Sequence, residues 1–439
     1  MQPHSLANIL QLLSNPSILI VLAGCILIAV QTSAIGAITV LRKQSLIGDA
    51  IAHAILPGIC LAFLLTGEKS TLFFLIGAGI TGWLGLTMIQ WISSHTKIKK
   101  DASTGIVLSV FFGFGILLMT YIQQSGNGQQ SGLDGFLLGK ASAMLPQDIF
   151  PLLISCCINM FVIYALKKEV ILLIFDKEFA AMSGLPLHIM HFLLNVILIA
   201  SIVTGIIALG AILIGSILII PCAIARFWRE SYDGIVRVSM FSAIFSTVCG
   251  VLLTVFFTHI PTGPMIVLML SLLFCMSAFL APKKGIISRA IVQRKHHRQT
   301  IEDNILKYAY HHLEKSWPPN SSLPKQTLIP TETIYKHVPE FKSHIKQLQS
   351  RGFAKETPEF ENLCITKEGL LRGMKITRLH RLWEAYLTHA AKFDIDHIHD
   401  DAESIEHILT PELEQQLQAL LGDPAFDPHG EQIPPSHLL

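Results

Sequence analysis

The chain has 439 residues, of which 51% are hydrophobic and 15% carry a charge. Soluble domains carry about 25% charged residues, so this composition excludes a protein that is water-soluble throughout. The net charge of +2 combines a balance of +9 over residues 1–300 with a balance of −7 over residues 301–439. The eight cysteines include no CxxC pair and most lie in apolar runs, which excludes a disulfide-stapled secreted protein.

Apolar stretches of about 18–25 residues recur up to residue 281, and each is long enough to cross the ~30 Å hydrocarbon core as a helix. The run 188–225 could also be a single broken helix. Basic residues cluster in alternate loops, which predicts an outside N-terminus and a cytoplasmic segment 282–439 in a bacterial inner membrane. We predict nine spans, at 17–41, 46–66, 71–94, 103–123, 149–166, 188–208, 209–225, 234–257 and 263–281.

Two ionisable residues, Asp49 and His53, lie in the second predicted span. They are four residues apart and therefore share one face of a helix. Ionisable groups are costly in a bilayer and usually mark a transport path, and an oxygen beside an imidazole can bind a divalent transition metal transiently. Two alternatives are an internal Asp–His hydrogen bond that only tightens packing, and an intramembrane metalloenzyme. Pro57-Gly58 predicts a kink just beyond the pair.

The sequence around this pair, SLIGDAIAHAILPG at residues 45–58, resembles the signature of ABC-type permeases that import zinc, manganese or iron. The resemblance covers about residues 15–281. It implies a dimer of permease subunits with a metal path lined by Asp49 and His53. Three further stretches agree with the family, at 176–186, 215–221 and 261–267.

The segment 176–186 has the composition of a short capped helix on the cytoplasmic side, although a plain surface loop is also possible. The resemblance implies that it is the coupling helix that docks on the ATPase. Its candidate coupling residues are Asp176, Glu178, Phe179, Ala180 and Gly184.

No ATP site is predicted in this chain. The segment 135–141 has three residues between its glycines where a P-loop has four, and alanine follows its lysine. The chain is therefore predicted to be a transporter subunit and not an enzyme. A separate ATPase would supply energy, and a separate external binding protein would deliver the metal.

Residues 282–300 contain six Lys or Arg and predict a basic juxtamembrane linker that contacts anionic lipid headgroups. Such a linker is also a possible site for proteolytic separation of the two halves. Residues 301–315 have apolar side chains at helical spacing, and two short helices and two strands are predicted to follow. This order predicts a winged helix-turn-helix over 301–372. The short helices are predicted at 331–338 and 339–350, and the strands within 353–366.

The second short helix of this domain would enter the major groove of operator DNA. The acidic balance of the C-terminal part leaves open a winged-helix module that binds protein instead of DNA. The candidate DNA contacts are the basic residues Lys336, Lys342, His344, Lys346 and Arg351.

A cluster of potential metal ligands follows in the helical region 373–439. Glu403, Glu406 and His407 share one helical face, with His399 one turn earlier, and His380 and Glu384 form another i, i+4 pair. Carboxylates with imidazoles favour Mn²⁺ or Fe²⁺, although Zn²⁺ also binds such ligands. The alternative is an acidic surface helix that carries incidental histidines.

This region resembles the metal-dependent repressors of the diphtheria-toxin-repressor type over about residues 301–435. The resemblance implies Glu403, Glu406 and His407 as principal ligands, and a second or auxiliary site at His380, Glu384 and His399. It also implies a dimerising role for 373–439. The first helix departs from the family, because Asn304 and Lys307 align with positions that supply ligands, and a protonated lysine cannot ligate.

The predicted protein is an all-α polytopic membrane domain of about nine helices at 1–281, followed by a cytoplasmic α+β winged-helix domain and a helical metal-binding and dimerisation region. Its predicted function is import of a divalent metal (manganese, iron or zinc) with regulation by the same metal as co-repressor. In an alternative function, the tail is a metal-sensing autoinhibitory domain that never binds DNA.

Overall fold

The computed structural model forms two units, Met1–Arg289 and Ala290–Leu439. The residues that it describes are 15–67, 71–124, 144–256, 260–315, 323–332, 334, 338, 341–355, 362–389, 411–422 and 424–435. The segment 135–141, considered above for its glycines, lies outside them.

The described part of the first unit is helical. Eight of its helical segments are long and apolar enough to cross a membrane, and eight of the nine predicted spans fall on them. The remaining predicted span, 209–225, falls on a helix whose apolar part, Leu213–Trp228, is shorter. The helices are α1 Pro16–Leu41, α2 Ile47–Ala54, α3 Leu56–Thr66, α4 Thr71–His95, α5 Lys100–Gln124, α6 Pro146–Ala165, α7 Lys167–Phe175, α8 Lys177–Met182, α9 Leu187–Leu209, α10 Ala211–Trp228, α11 Tyr232–Phe256 and α12 Thr262–Leu280.

Two helix interruptions follow from glycine and proline. The run 188–225 divides into α9 and α10 at Gly210, whose φ of +83° is a conformation that favours glycine. The segment 47–66 is interrupted at Ile55, two residues before Pro57, because proline has no N–H to donate within the helix. This interruption lies just beyond the Asp49–His53 pair, where the sequence predicts a kink.

Close helix contacts hold this unit together. A Cβ on Gly58 of α3 would overlap the carbonyl oxygen of Gly77 of α4, and one on Gly36 of α1 would overlap the carbonyl oxygen of Leu218 of α10. In a bilayer the helices gain little from the hydrophobic effect, so small residues that let backbones approach favour their association through van der Waals packing.

The second unit begins within a long helix, α13 Ile286–Glu314, so most of the predicted linker 282–300 is helical. Three antiparallel strands pair in the order β1-β3-β2. The predicted helix 331–338 lies mostly outside the described residues, although 331, 332 and 334 are helical. The remaining elements are β1 Gln326–Pro330, α14 Phe341–Ser350, β2 Ala354–Lys355, β3 Asn362–Thr366, α15 Lys367–His389 and α16 Pro411–Leu421.

The core of this unit contains the predicted apolar face of α13. All five of its members are buried: Ile301, Ile305, Leu306, Ala309 and Leu313. Strand β1 was not predicted, because its sequence QTLIP does not alternate between apolar and polar residues. Ile329 is its one buried residue. It pairs along its whole length with β3.

Candidate metal path and regulatory site

Asp49 and His53 lie on the short helix α2 and share a face, as their spacing predicts. Oδ1 of Asp49 is 3.8 Å from Nε2 of His53, which is too long for a hydrogen bond. The two side chains are 42% and 20% exposed, respectively. Within the described residues, Nδ1 of His53 is buried without a hydrogen-bond partner, and the ring meets Phe112 edge-on at 4.8 Å. The pair is therefore open and not locked by an internal hydrogen bond.

Helix α10 approaches this pair through Gly215. A Cβ at Gly215 would lie 3.0 Å from Oδ1 of Asp49, and a Cβ at Gly48 would overlap the Leu218 side chain. The fold thus brings together the two sequence stretches 45–58 and 215–221. Both potential ligand atoms of the pair can contact one ion at about 2.1 Å, the usual distance for oxygen and nitrogen ligands of zinc.

A buried polar network that the sequence analysis missed joins α1, α6 and α9. Nδ2 of Asn159 donates to Oε1 of Gln31 at 3.2 Å and to Oγ of Ser201 at 2.9 Å. Ser155 also donates to Oε1 of Gln31, and Nε2 of Gln31 donates to Thr204. The signal available in the sequence was an amide in each of two apolar spans, which is costly in lipid unless it is hydrogen-bonded.

Replacing Asn159 by leucine is expected to remove two interhelical hydrogen bonds and lower the free energy of unfolding by about 1 kcal/mol. In a unit of this size that corresponds to a melting temperature lower by roughly 2–4 °C in detergent. A double-mutant cycle with Ser201→Ala should show coupling between the two positions. An unchanged or higher melting temperature of Asn159→Leu would contradict the stabilising role.

The predicted coupling segment forms the short helix α8 with caps at both ends. Oδ1 of Asp176 accepts a hydrogen bond from the Phe179 N–H at 2.8 Å. At the other end Leu185 N–H donates to Ala180 and Gly184 N–H donates to Ala181, which is a Schellman motif with Gly184 at φ +76°. The predicted short capped helix is therefore confirmed.

The surface of α8 carries two large exposed apolar side chains. Phe179 is 52% exposed and Met182 is 79% exposed, whereas Ala180 is fully buried and anchors the helix. Glu178 is exposed in the first turn. A short, rigid helix with exposed apolar side chains is suited to docking against another protein.

The predicted DNA contacts have different surroundings in the second unit. Lys346 of α14 is exposed, and the Arg351 guanidinium pairs with the Glu302 carboxylate at 2.8 Å. His344 is only 8% exposed because it lies on the inner face of α14, which leaves little of its ring accessible for the predicted DNA contact. Lys336 and the side chain of Lys342 lie outside the described structure.

A cationic cleft of about 410 Å³ separates α13 from the end of α14. Four cations and one carboxylate line it, so the cleft favours anions. Its charged lining residues are Arg294, Lys295, Arg298, Arg351 and Glu302. From the sequence, the first three are predicted to set membrane topology and to contact lipid headgroups, and local patterns do not show that they lie beside α14.

Of the predicted metal ligands, His380 and Glu384 lie within the described structure. Both are buried on α15, and Nε2 of His380 is 3.0 Å from Oε1 of Glu384. The exposed ring of His429 approaches the same oxygen at 3.9 Å. Glu403, Glu406, His407 and His399 lie outside the described residues. Within the described ranges, no cluster of three or more His, Cys, Asp or Glu side chains is suited to a metal ion.

Comparison with known proteins agrees with this division of the chain. Residues 14–281 match the ABC 3 transport family, and residues 366–435 match the metal binding and dimerisation domain of iron dependent repressors. The Bacillus subtilis manganese transport system membrane protein MntC is 36% identical over 93% of this chain and 92% of its own length. The Treponema pallidum zinc transport system membrane protein TroC is 36% identical over 64% of this chain and 94% of its own length.

A solved structure shares the fold of the membrane unit. PsaBC from Streptococcus pneumoniae in complex with Fab is 31% identical and covers 64% of this chain and 98% of its own, with a TM-score of 0.57. The chain belongs to the ABC 3 transport family, since that match spans more than half of it. It is a multi-pass metal-transport permease of the bacterial inner membrane, fused to a repressor-type metal-binding domain.

Proposed function

We propose that this chain imports a divalent transition metal past Asp49 and His53, and that its C-terminal domain regulates transcription in response to metal. The observation that carries the transport proposal is the open Asp49–His53 pair on a membrane helix. Its atoms are 3.8 Å apart, and within the described structure Nδ1 of His53 has no partner. Two protein ligands hold a substrate ion loosely, which suits passage better than storage.

Manganese and zinc are the substrates named for the relatives MntC and TroC, and we propose a metal of this class for the present chain. The alternation of basic loops supports an outside N-terminus and a cytoplasmic C-terminal domain. An external binding protein would deliver the ion, and a second permease subunit would complete the path between them.

Energy would come from a separate ATPase that docks on α8. The support for this step is the exposed apolar pair Phe179 and Met182 on a helix that is capped at both ends. Rigid capping lets a movement of the ATPase move the whole membrane unit instead of only bending a loop.

The transport proposal can be tested by reconstituting the full chain with its ATPase and binding protein in liposomes. We expect uptake of Mn²⁺ or Zn²⁺ that requires ATP. Uptake at the same rate without ATP would refute an ABC importer, and turnover of a substrate by the chain alone would indicate an enzyme.

The regulatory proposal rests on the cationic cleft beside α14. Arg294, Lys295 and Arg298 are exposed in this cleft, and Lys346 is exposed on α14, so these cations can contact phosphates of an operator. Glu403, Glu406 and His407 are the proposed sensor ligands on the basis of their spacing.

Replacing both Arg294 and Arg298 by glutamine is expected to weaken DNA binding of the full chain about equally on all sequences. Each lost phosphate contact lowers the slope of log affinity against log salt by about 0.9. Lys315→Gln, one residue beyond the far end of α13, is the matched control and should leave affinity and slope unchanged. An unchanged salt slope in the double variant would contradict phosphate contact by this cleft.

The autoinhibitory alternative predicts a different effect of removing residues 301–439. If the tail only inhibits the permease, its deletion increases uptake at high internal metal and leaves operator occupancy unaltered. If the tail is a regulator, its deletion abolishes operator occupancy.

A further inference from the structure

A lysine occupies the position next to the buried His380, where the repressor resemblance leads one to expect a metal. Nζ of Lys307 on α13 is 3.2 Å from Nδ1 of His380 on α15. Both residues are buried, with 8% and 4% of their surface exposed. The other ring nitrogen, Nε2, is 3.0 Å from Oε1 of Glu384, which is 2% exposed.

These contacts use both nitrogens of the imidazole. An ammonium group has only donors, so Nδ1 must accept its hydrogen bond and carry no proton. Nε2 then carries the ring proton and donates it to the Glu384 carboxylate. No lone pair remains on the neutral ring for a metal ion unless one of these two contacts is broken.

Among the described contacts, the charges of Lys307 and Glu384 also offset each other without a metal. One ammonium and one carboxylate lie on opposite sides of a neutral ring, which is how a buried carboxylate is tolerated in a protein interior. A divalent cation next to Lys307 would meet a like charge at short range. The described residues at this position therefore do not fit a bound metal ion.

We propose that the Lys307 ammonium replaces a metal ion at the His380–Glu384 position and holds α13 against α15 permanently. This inference deepens the regulatory function proposed above, because it leaves Glu403, Glu406 and His407 as the ligand set through which metal could act. The domain would then bind regulatory metal at the Glu403–Glu406–His407 site and not at the His380–Glu384 position.

The test is the number of Mn²⁺ ions bound per full-length chain, measured by equilibrium dialysis in detergent after removal of metal. His380→Ala is expected to bind as many ions as the wild type. Lys307→Glu is expected to bind one more, because a carboxylate beside His380 and Glu384 gives three N/O ligands. Asn304, one turn earlier on α13, has a buried amide oxygen without a partner in the described structure and can add to this set. The double variant Lys307→Glu/His380→Ala should lose the extra ion.

Loss of one ion in His380→Ala would overturn the proposal, since His380 would then be a ligand in the wild type. Absence of the extra ion in a folded Lys307→Glu protein would overturn it as well. The His380→Ala result decides the matter if Lys307→Glu fails to fold. DNA binding measured on the same samples separates the two proposals, because its absence in the wild type refutes the regulator without changing the ion count.

Discussion

Replacing Asp49 by asparagine is expected to lower ATP-driven metal uptake at least tenfold. The change keeps the size of the side chain but removes its negative charge, so on the proposed path the substrate ion would lose its anionic ligand beside His53. A tenfold loss corresponds to about 1.4 kcal/mol, a modest fraction of what a carboxylate contributes to holding a divalent ion. The measurement is the initial rate of Mn²⁺ or Zn²⁺ uptake into liposomes that contain the full chain and its ATPase.

Asp101→Asn provides the matched control for this prediction. Asp101 is an exposed aspartate in the first turn of α5, so the same chemical change there should leave uptake within a factor of two. The melting temperature of Asp49→Asn should match the wild type, because the Asp49 side chain is 42% exposed and forms no hydrogen bond to His53. Uptake near the wild-type rate in Asp49→Asn would exclude Asp49 from the path.

Replacing Phe179 and Met182 together by alanine is expected to abolish coupling to the ATPase. The two side chains are the large exposed apolar groups of α8, and burying such a side chain at an interface contributes about 1.5–3 kcal/mol. Losing both is expected to weaken association with the ATPase at least a hundredfold. Co-purification of the ATPase and ATP-driven uptake should fall together.

The fold of the membrane unit should survive this double change, because Ala180, the Asp176 cap and Gly184 remain in place. Phe241→Ala is the control, since Phe241 is a phenylalanine of comparable exposure on α11. We expect it to retain both the ATPase and uptake. Retention of the ATPase by the Phe179→Ala/Met182→Ala protein would show that another surface carries the coupling.

The sequence alone determined the features that depend on local periodicity. Apolar runs predicted the membrane helices because a bilayer allows few alternatives to a helix for the backbone. The spacing of Asp49 and His53 predicted a shared face, and the apolar positions of 301–313 predicted the buried face of α13. The caps of α8 could be predicted for the same reason, since Asp176 and Gly184 cap helix ends that lie only a few positions away in the sequence.

Only the tertiary structure decided which distant residues meet. Gly215 lies against Asp49, Asn159 bridges Gln31 and Ser201, and Lys307 contacts His380 across 73 positions of the chain. Tertiary packing also buries His344 and pairs β1 with β3, and local sequence patterns predict neither feature. Such contacts depend on how whole helices and strands pack, and one sequence has no periodic signal for packing between separate elements.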